Sequence, residues 1–490
     1  MGVDISAVSR VVGVDVTFEI FESGAVTYLP QRIALLGQGN TAETFSTDPV
    51  SVTSHAEVAA LLGYGSPGHL AAKQLFPNNG DGVGSIPVTL YPMVDDGSAV
   101  AAAGSIAASG TQTTQQSYIV YVNNIPSLGI TIPATTTADA ALGLIKTAIE
   151  GVLDMPIIPG TVAAGSLPIT AKWKGLTGND IYISISGTED GITFTVTQPT
   201  GGTINPDVDT PLAKIIEVWE TMIIPTTTYD DATTLQKFET WGDGRWGETV
   251  KKPALVFHGT YDDRSTRTAI TNAAARKDDK INVLIPAPGA NHFGFEIAAR
   301  GVARISRKAQ NYPGNDNYDT LSGLVPGAES SQESFTERDL AVKAGSSTSI
   351  LVNGDIKIND LVTMYHPDGE TNPGFRYVCN IIKLMNIIFN IRIIFESDEW
   401  AGAPLMPAGV STTRPDAKSP SQALTAMGNL ATNLQKLAII ADALFTQQNM
   451  TSTINSQNPN RLDNVFPVKL SGNVQIIDNY IKFGFYFPAA

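Results

Sequence analysis

The sequence predicts a multidomain fold of α/β and α+β type. A discontinuous α/β domain (21–96 and 206–325) is interrupted by an inserted β-rich domain (97–205). A C-terminal α+β core domain (326–473) follows, with extended arms at both ends (1–20 and 474–490). Three observations predict this. Apolar runs of strand length alternate with helical stretches on both sides of the insertion, the pattern of a largely parallel sheet with helices on both faces. Between them the composition shifts to Thr, Ala, Gly and Ser with alternating strands. Each end carries a β-type run with no local partner. A chain of 490 residues is also too long for one typical core.

Taken in order, VVGVDVTFEI reads as a pairing arm with Val14, Val16, Phe18 and Ile20 on one set of alternating positions. Strand Arg32–Leu36 ends at Gly37. Ser54 caps a helix through Leu62, a second helix covers His69–Phe76, and Pro87–Tyr91 is the next strand. The insertion holds strands Ser117–Val122, Gly129–Ile132, Ile181–Ile185 and Ile192–Thr197 and one helix, Ala138–Leu153. It is expected to fold alone and to lie peripherally. Pro211 then opens a helix with Leu212, Ile215, Ile216 and Trp219 on one face. Strands Met222–Pro225, Ala254–His258 and Ile281–Ile285 alternate with helices Ala232–Trp241, Arg264–Arg276 and Phe293–Gln310.

The organising stretch is 335–366, FTERDLAVKAGSSTSILVNGDIKINDLVTMYH. Thr336 is placed as a helix N-cap, with Glu337 and Asp339 suiting the first turn and Gly345 supplying a stop. Thr348–Val352 and Asp355–Ile358 are joined by Asn353-Gly354, the dipeptide that most favours a tight hairpin. Leu361–Tyr365 continues the meander. Long helices over Phe375–Phe395 and Ser419–Gln448 follow. The final arm, an alternating strand over Val474–Phe487, offers Ile476, Tyr480, Phe483, Phe485 and Phe487 for pairing with a neighbour, because little sequence remains to cover its edge.

The helix ending in Gly, the hairpin V-x-G-D-I-x-I and the closing VTMYH resemble the signature of contractile-tail sheath proteins of bacteriophages, the Mu-like branch in particular. The upstream run PAPGANHFGFEIAARGVARISRKAQNYPGNDNYDTLSGLVPG fits as well. The resemblance implies a structural protomer in a helical sheath of stacked rings around a tail tube. It implies tail tube, baseplate and tail terminator proteins as partners, and termini that exchange strands between neighbours. It places the chain in the virion after assembly in the host cytoplasm, with no cofactor and no catalysis. A peripheral insertion also agrees with that branch. An α/β hydrolytic enzyme with a β-rich accessory domain and an extracellular glycan-binding module are the alternatives.

Composition narrows the classes further. The net charge of −15 argues against a nucleic-acid grip, which needs clustered Lys and Arg. The single cysteine, Cys379, excludes an internal disulfide and any Cys-rich zinc site, and reads as a buried, inert thiol. The N-terminus lacks a basic leader followed by an apolar run, and its M-G-x-x-x-S match is taken as coincidence. Tyr377–Phe395 is interrupted by Asn380, Lys383, Asn386, Asn390 and Arg392, so it is expected as a core helix and not a membrane span.

Gly63-x-Gly65-x-x-Gly68 and Gly242-x-Gly244-x-x-Gly247 have dinucleotide spacing but follow helices, so both read as turns. His258, Asp262, Asp263 and Ser265 cluster after a strand, yet no G-x-S-x-G elbow exists, and His258 reads as a strand-end residue partnered by backbone. The five histidines show no metal spacing, and the paired aspartates sit at element boundaries as caps. Arg300, Arg304, Arg307 and Lys308 recur at helical spacing, which makes either a solvated face or a docking face for an acidic surface of tube or neighbour.

Overall fold

Five apolar runs pair in parallel. Ile33–Gln38 lies between Val88–Met93 and Met222–Pro225, and Leu255–Thr260 and Asn282–Pro286 extend the sheet beyond the latter. Val50–Val52 closes the other edge antiparallel to Val88–Met93. Every residue of Ile33–Gln38, Leu255–Thr260 and Asn282–Pro286 is buried, as parallel strands covered on both faces require. One core layer gathers Leu36, Tyr91, Ile223, Phe238, Val256 and Ile281, so residues from both sides of the β-rich stretch share a single core.

The computed structural model describes residues 27–314, 319–370, 374–475, 477 and 479–485. They fall in two compact units, Tyr28–Asn386 and a second that holds Thr27 and the chain from Ile387 on. The N-terminal arm lies outside the described residues.

Between Met93 and Met222 the larger unit carries two antiparallel sheets. One joins Ile183–Ser186, Gln116–Val122, Ile125–Pro126 and Ile130–Ile132. The other has the order Ile192–Thr200, Ala103–Gly110, Ser166–Ala171, Ile157–Pro159. Helix Ala138–Glu150 buries Ala141, Leu142 and Ile145. Ala103–Gly110 and Ser166–Ala171 escaped sequence reading because small residues and a proline replace the β-branched signal of a strand.

Several elements differ from expectation for identifiable reasons. Ser54 caps His55–Leu62 as expected, but the next helix starts at Pro67, capped by Ser66, which accepts from His69 N–H. The helix expected to open at Pro211 and reach Trp219 instead spans only Asp209–Ala213, and beyond it Arg245 donates to the carbonyls of Ile215, Ile216 and Val218 in place of helical partners. Gly242 and Gly244 lie inside the longer helix Ala232–Trp246, and a Cβ at Gly242 would meet Ile281 at 2.4 Å. The Arg264 helix ends at Thr271, followed by a short 3-10 turn at Ala274–Arg276. Ser334 and not Thr336 caps Phe335–Lys343, accepting from Glu337 N–H while the Glu337 carboxylate accepts from Ser334 N–H.

The Asn353-Gly354 hairpin forms, both residues at positive φ (55° and 86°). Leu361–Tyr365 does not continue it. Thr363 bridges to Val283 at the parallel sheet's edge, and Met364 N–H donates to Asn282 O at 2.9 Å. The stretch 326–386, expected with the C-terminal domain, packs in the larger unit through this edge and through the Arg267–Glu333 pair.

In the second unit the single helix expected over 419–448 is two, Pro420–Lys436 and Ala443–Asn449. Residues 439–441 pair instead with the returning chain: Ala441 N–H donates to Lys469 O and Ser471 N–H to Ile439 O. Ala438 turns at φ 53°, and Asp442 caps the second helix by accepting from Phe445 N–H. Thr451–Ile454 and Leu462–Val465 form a two-stranded hairpin.

Candidate functional site

The proposed pairing residues divide sharply. Val14, Val16, Phe18, Ile20, Ile476 and Phe487 lie outside the described residues. Tyr480, Phe483 and Phe485 are 85%, 84% and 79% exposed and belong to no strand. Val474, Ile477 and Ile481 are exposed beside them. Six large apolar side chains between Val474 and Phe485 therefore face water, and exposed apolar patches mark interaction surfaces. The hairpin Thr451–Ile454/Leu462–Val465 has no third strand among the described residues, so backbone donors and acceptors on its outer edges are open to pairing. Sequence reading missed this hairpin. The alternating Thr451-Ser-Thr-Ile run and the polar Asn458-Pro-Asn turn were its only signals.

The basic stripe meets acids of its own chain. It lies on helix Gly294–Asn311. Arg300 is buried and donates to the Asp81 carbonyl oxygen at 2.5 Å. Arg304 pairs with the Asp81 carboxylate and, at 3.3 Å, with Asp319. Arg307 reaches Asp81 at 3.4 Å, and Lys308 reaches Asp319 at 3.7 Å. Burial holds the Arg300 guanidinium below its usual range. Only Arg307 keeps a largely solvated side chain, 44% exposed.

The hydrolase constellation is not assembled. His258 is buried, edge-on to Phe238, with Nε2 against Asn282 Oδ1 at 3.0 Å, so its partner is a side chain and not backbone. Burial pushes it down to about 4. Asp262 instead accepts from Tyr229 and Thr260 hydroxyls, at 2.6 and 2.9 Å, and Asp263 caps the next helix. Among the described residues no group of three or more His, Cys, Asp or Glu is placed to hold a metal.

One crevice does form at the carboxyl edge of the parallel sheet, where open α/β sheets bind ligands. A cavity of about 120 Å³ is lined by Thr177, Asp180, Thr227, Tyr229, Tyr261 and Asp262, among others. Its floor is tight: a Cβ on Gly259 would stand 2.2 Å from the Gly294 carbonyl oxygen, so strand end and helix start touch backbone to backbone. Tyr261 hydroxyl donates to Asp180 at 2.8 Å. Burial, with smaller help from Asp230 and Asp262, pushes Asp180 up to about 7 against the effect of that hydrogen bond.

No family model matches the chain. It is 23% identical over 381 residues to the Mu-like prophage FluMu tail sheath protein of Haemophilus influenzae, spanning 76% of this chain and 75% of that protein. The resemblance to Mu-like tail sheath proteins holds. Among solved structures, a sheath tail protein from Listeria innocua is similar at 12% identity and TM-score 0.49, covering 92% of this chain and 94% of that one. A sheath tail protein from Desulfitobacterium hafniense is similar at 15% identity and TM-score 0.42, covering 90% and 93%. This sheath-like chain thus has a relative named for a structural role in a tail, and the hydrolase alternative is not favoured.

Proposed function

We propose that this chain is the structural protomer of a contractile phage tail sheath, assembling helically around a tail tube and contracting to drive the tube through the host envelope. The observation that carries the reading is the 381-residue likeness to a tail sheath protein, which spans three quarters of both chains. The exposed apolar row at Tyr480–Phe485 and the open hairpin at 451–465 support it, because an assembly that moves needs connections which survive rotation of its subunits. In this reading the arms 1–20 and 474–490 exchange strands between neighbours, and 97–205 is a peripheral domain on the outer surface. The tail tube, baseplate and terminator proteins are the partners. The protein is a virion component assembled in the host cytoplasm, and its work is driven by contacts between subunits and not by catalysis.

Electron microscopy of the purified chain at rising concentration tests this. Tubes or polysheaths are expected. Compact monomers at every concentration and salt, by microscopy and by sedimentation, would overturn it.

A further inference from the structure

A buried amide meets the backbone where the N-terminal arm joins the fold. In the second unit Thr27 N–H donates to Asn390 Oδ1 at 3.2 Å, and Asn390 Nδ2 donates to the Thr27 carbonyl oxygen at 3.0 Å. We propose that Asn390 is a positioning residue for assembly, clamping the chain at Thr27 and so fixing the point from which arm 1–20 leaves for a neighbour. The proposal rests on the strand-exchange reading above and names the residue that aims the arm.

The helix around Asn390 argues for this role. Val378–Phe395 reads VCNIIKLMNIIFNIRIIF, and Ile381, Ile382, Met385 and Ile387 are buried on it. Leu or Ile at position 390 would favour the helix more than Asn and would bury apolar surface. Asn390 stands there instead, 3% exposed, and a buried amide is costly unless its donor and acceptor are both met. Thr27 meets both with the N–H and C=O of one residue, as a neighbouring strand would. One orientation of the amide serves both groups, so the pair holds a single backbone position and ignores the side chain there.

The other buried asparagine of this helix works differently. In the larger unit Asn386 accepts from Leu29 N–H at 2.8 Å and donates to Ile382 O at 2.9 Å. Leu29 is itself buried, so packing holds that residue as well. Thr27 is exposed, and packing of its side chain does little to fix it. Water would replace Asn390 on its backbone at little cost, so the clamp governs where the chain lies more than whether the protein folds. From Ile20 to Thr27 the chain reaches at most about 25 Å. Freeing Thr27 moves the next backbone hold of this kind to Leu29 and adds about 7 Å of slack, which lowers the effective concentration of the arm at a neighbour.

Asn390→Leu in the full chain tests it, since Leu fills a similar volume and cannot bond to the backbone. Thermal unfolding should be unchanged or higher. The critical concentration for polymerisation, read by sedimentation, should rise about tenfold, the scale of leaving one more residue's backbone to be ordered on pairing. Hydrogen exchange at the Thr27 amide should quicken, with the Ile33–Gln38 strand unchanged. An unaltered critical concentration beside a polymerising wild type overturns the clamp alone. A wild type that never polymerises overturns the assembly reading and the clamp with it. An Asn390→Leu chain that melts lower and assembles worse in proportion marks a packing residue and also overturns the proposal. If it does not fold at all, Thr27→Pro removes the N–H from the other side and leaves the helix untouched. The critical concentration should rise there too, and an unmoved value is equally fatal.

Discussion

Arg267 is fully buried, and its guanidinium clasps the Glu333 carboxylate with two parallel hydrogen bonds, the second 2.7 Å long. The same guanidinium donates to Ser346 at 2.9 Å, so one side chain ties the Arg264–Thr271 helix to both ends of the Phe335–Lys343 helix. Removing one partner of such a pair strands a buried charge. Glu333→Ala should therefore cost about 3–5 kcal/mol in urea unfolding, while replacing both residues with apolar ones of similar volume should cost much less. Equal losses for the single and double variants would deny the pair this role.

The stripe on helix Gly294–Asn311 separates by burial. Arg307→Glu, at a mostly solvated position, should change stability by less than about 1 kcal/mol. Arg300→Glu puts an anion at a buried site beside the Asp81 carbonyl and should destabilise by more than about 3 kcal/mol. Thermal melts of the two single variants decide this, and similar melts would mean the stripe is a solvated face throughout.

Removing residues 474–490 should leave a folded chain that no longer polymerises. The described residues from Val474 on are exposed and outside any strand, so their loss uncovers little core. Circular dichroism and sedimentation read the two halves of the prediction separately. A truncated chain that still forms tubes would remove the arm from assembly.

His258 is buried and neutral, pushed down to about 4 by burial. Its folded value lies below the ordinary 6.5, so the stability it confers is present above that value and lost as pH falls toward 4. His69, down to about 4 mainly through burial, adds a slope of the same sign. His258→Gln should flatten the fall in unfolding free energy between pH 6.5 and 4 by up to about 3 kcal/mol. An unchanged slope would show that protonation at this site is not part of acid unfolding.

The amino-acid sequence by itself determined the alternation of strand and helix on both sides of the β-rich stretch. It also determined the Asn353-Gly354 turn, the Ser54 cap and the apolar character of the C-terminal row. These are local properties, carried by periodicity and by residues whose backbone preferences hold in any context. The likeness to sheath proteins was legible for the same reason, since it rests on motifs within continuous segments. Tertiary structure alone decided what the carbonyls beyond Ala213 bond to, because Arg245, 30 residues from Ile215, donates to them. It decided that Thr363 joins the parallel sheet and that residues 439–441 pair with 469–471. It also turned the Arg300 stripe inward onto Asp81 and brought Asp180 to Tyr261, 81 positions away. Spacing within a segment reports which face a side chain shares, but a charge finds its partner through the fold, and no local period encodes that distance.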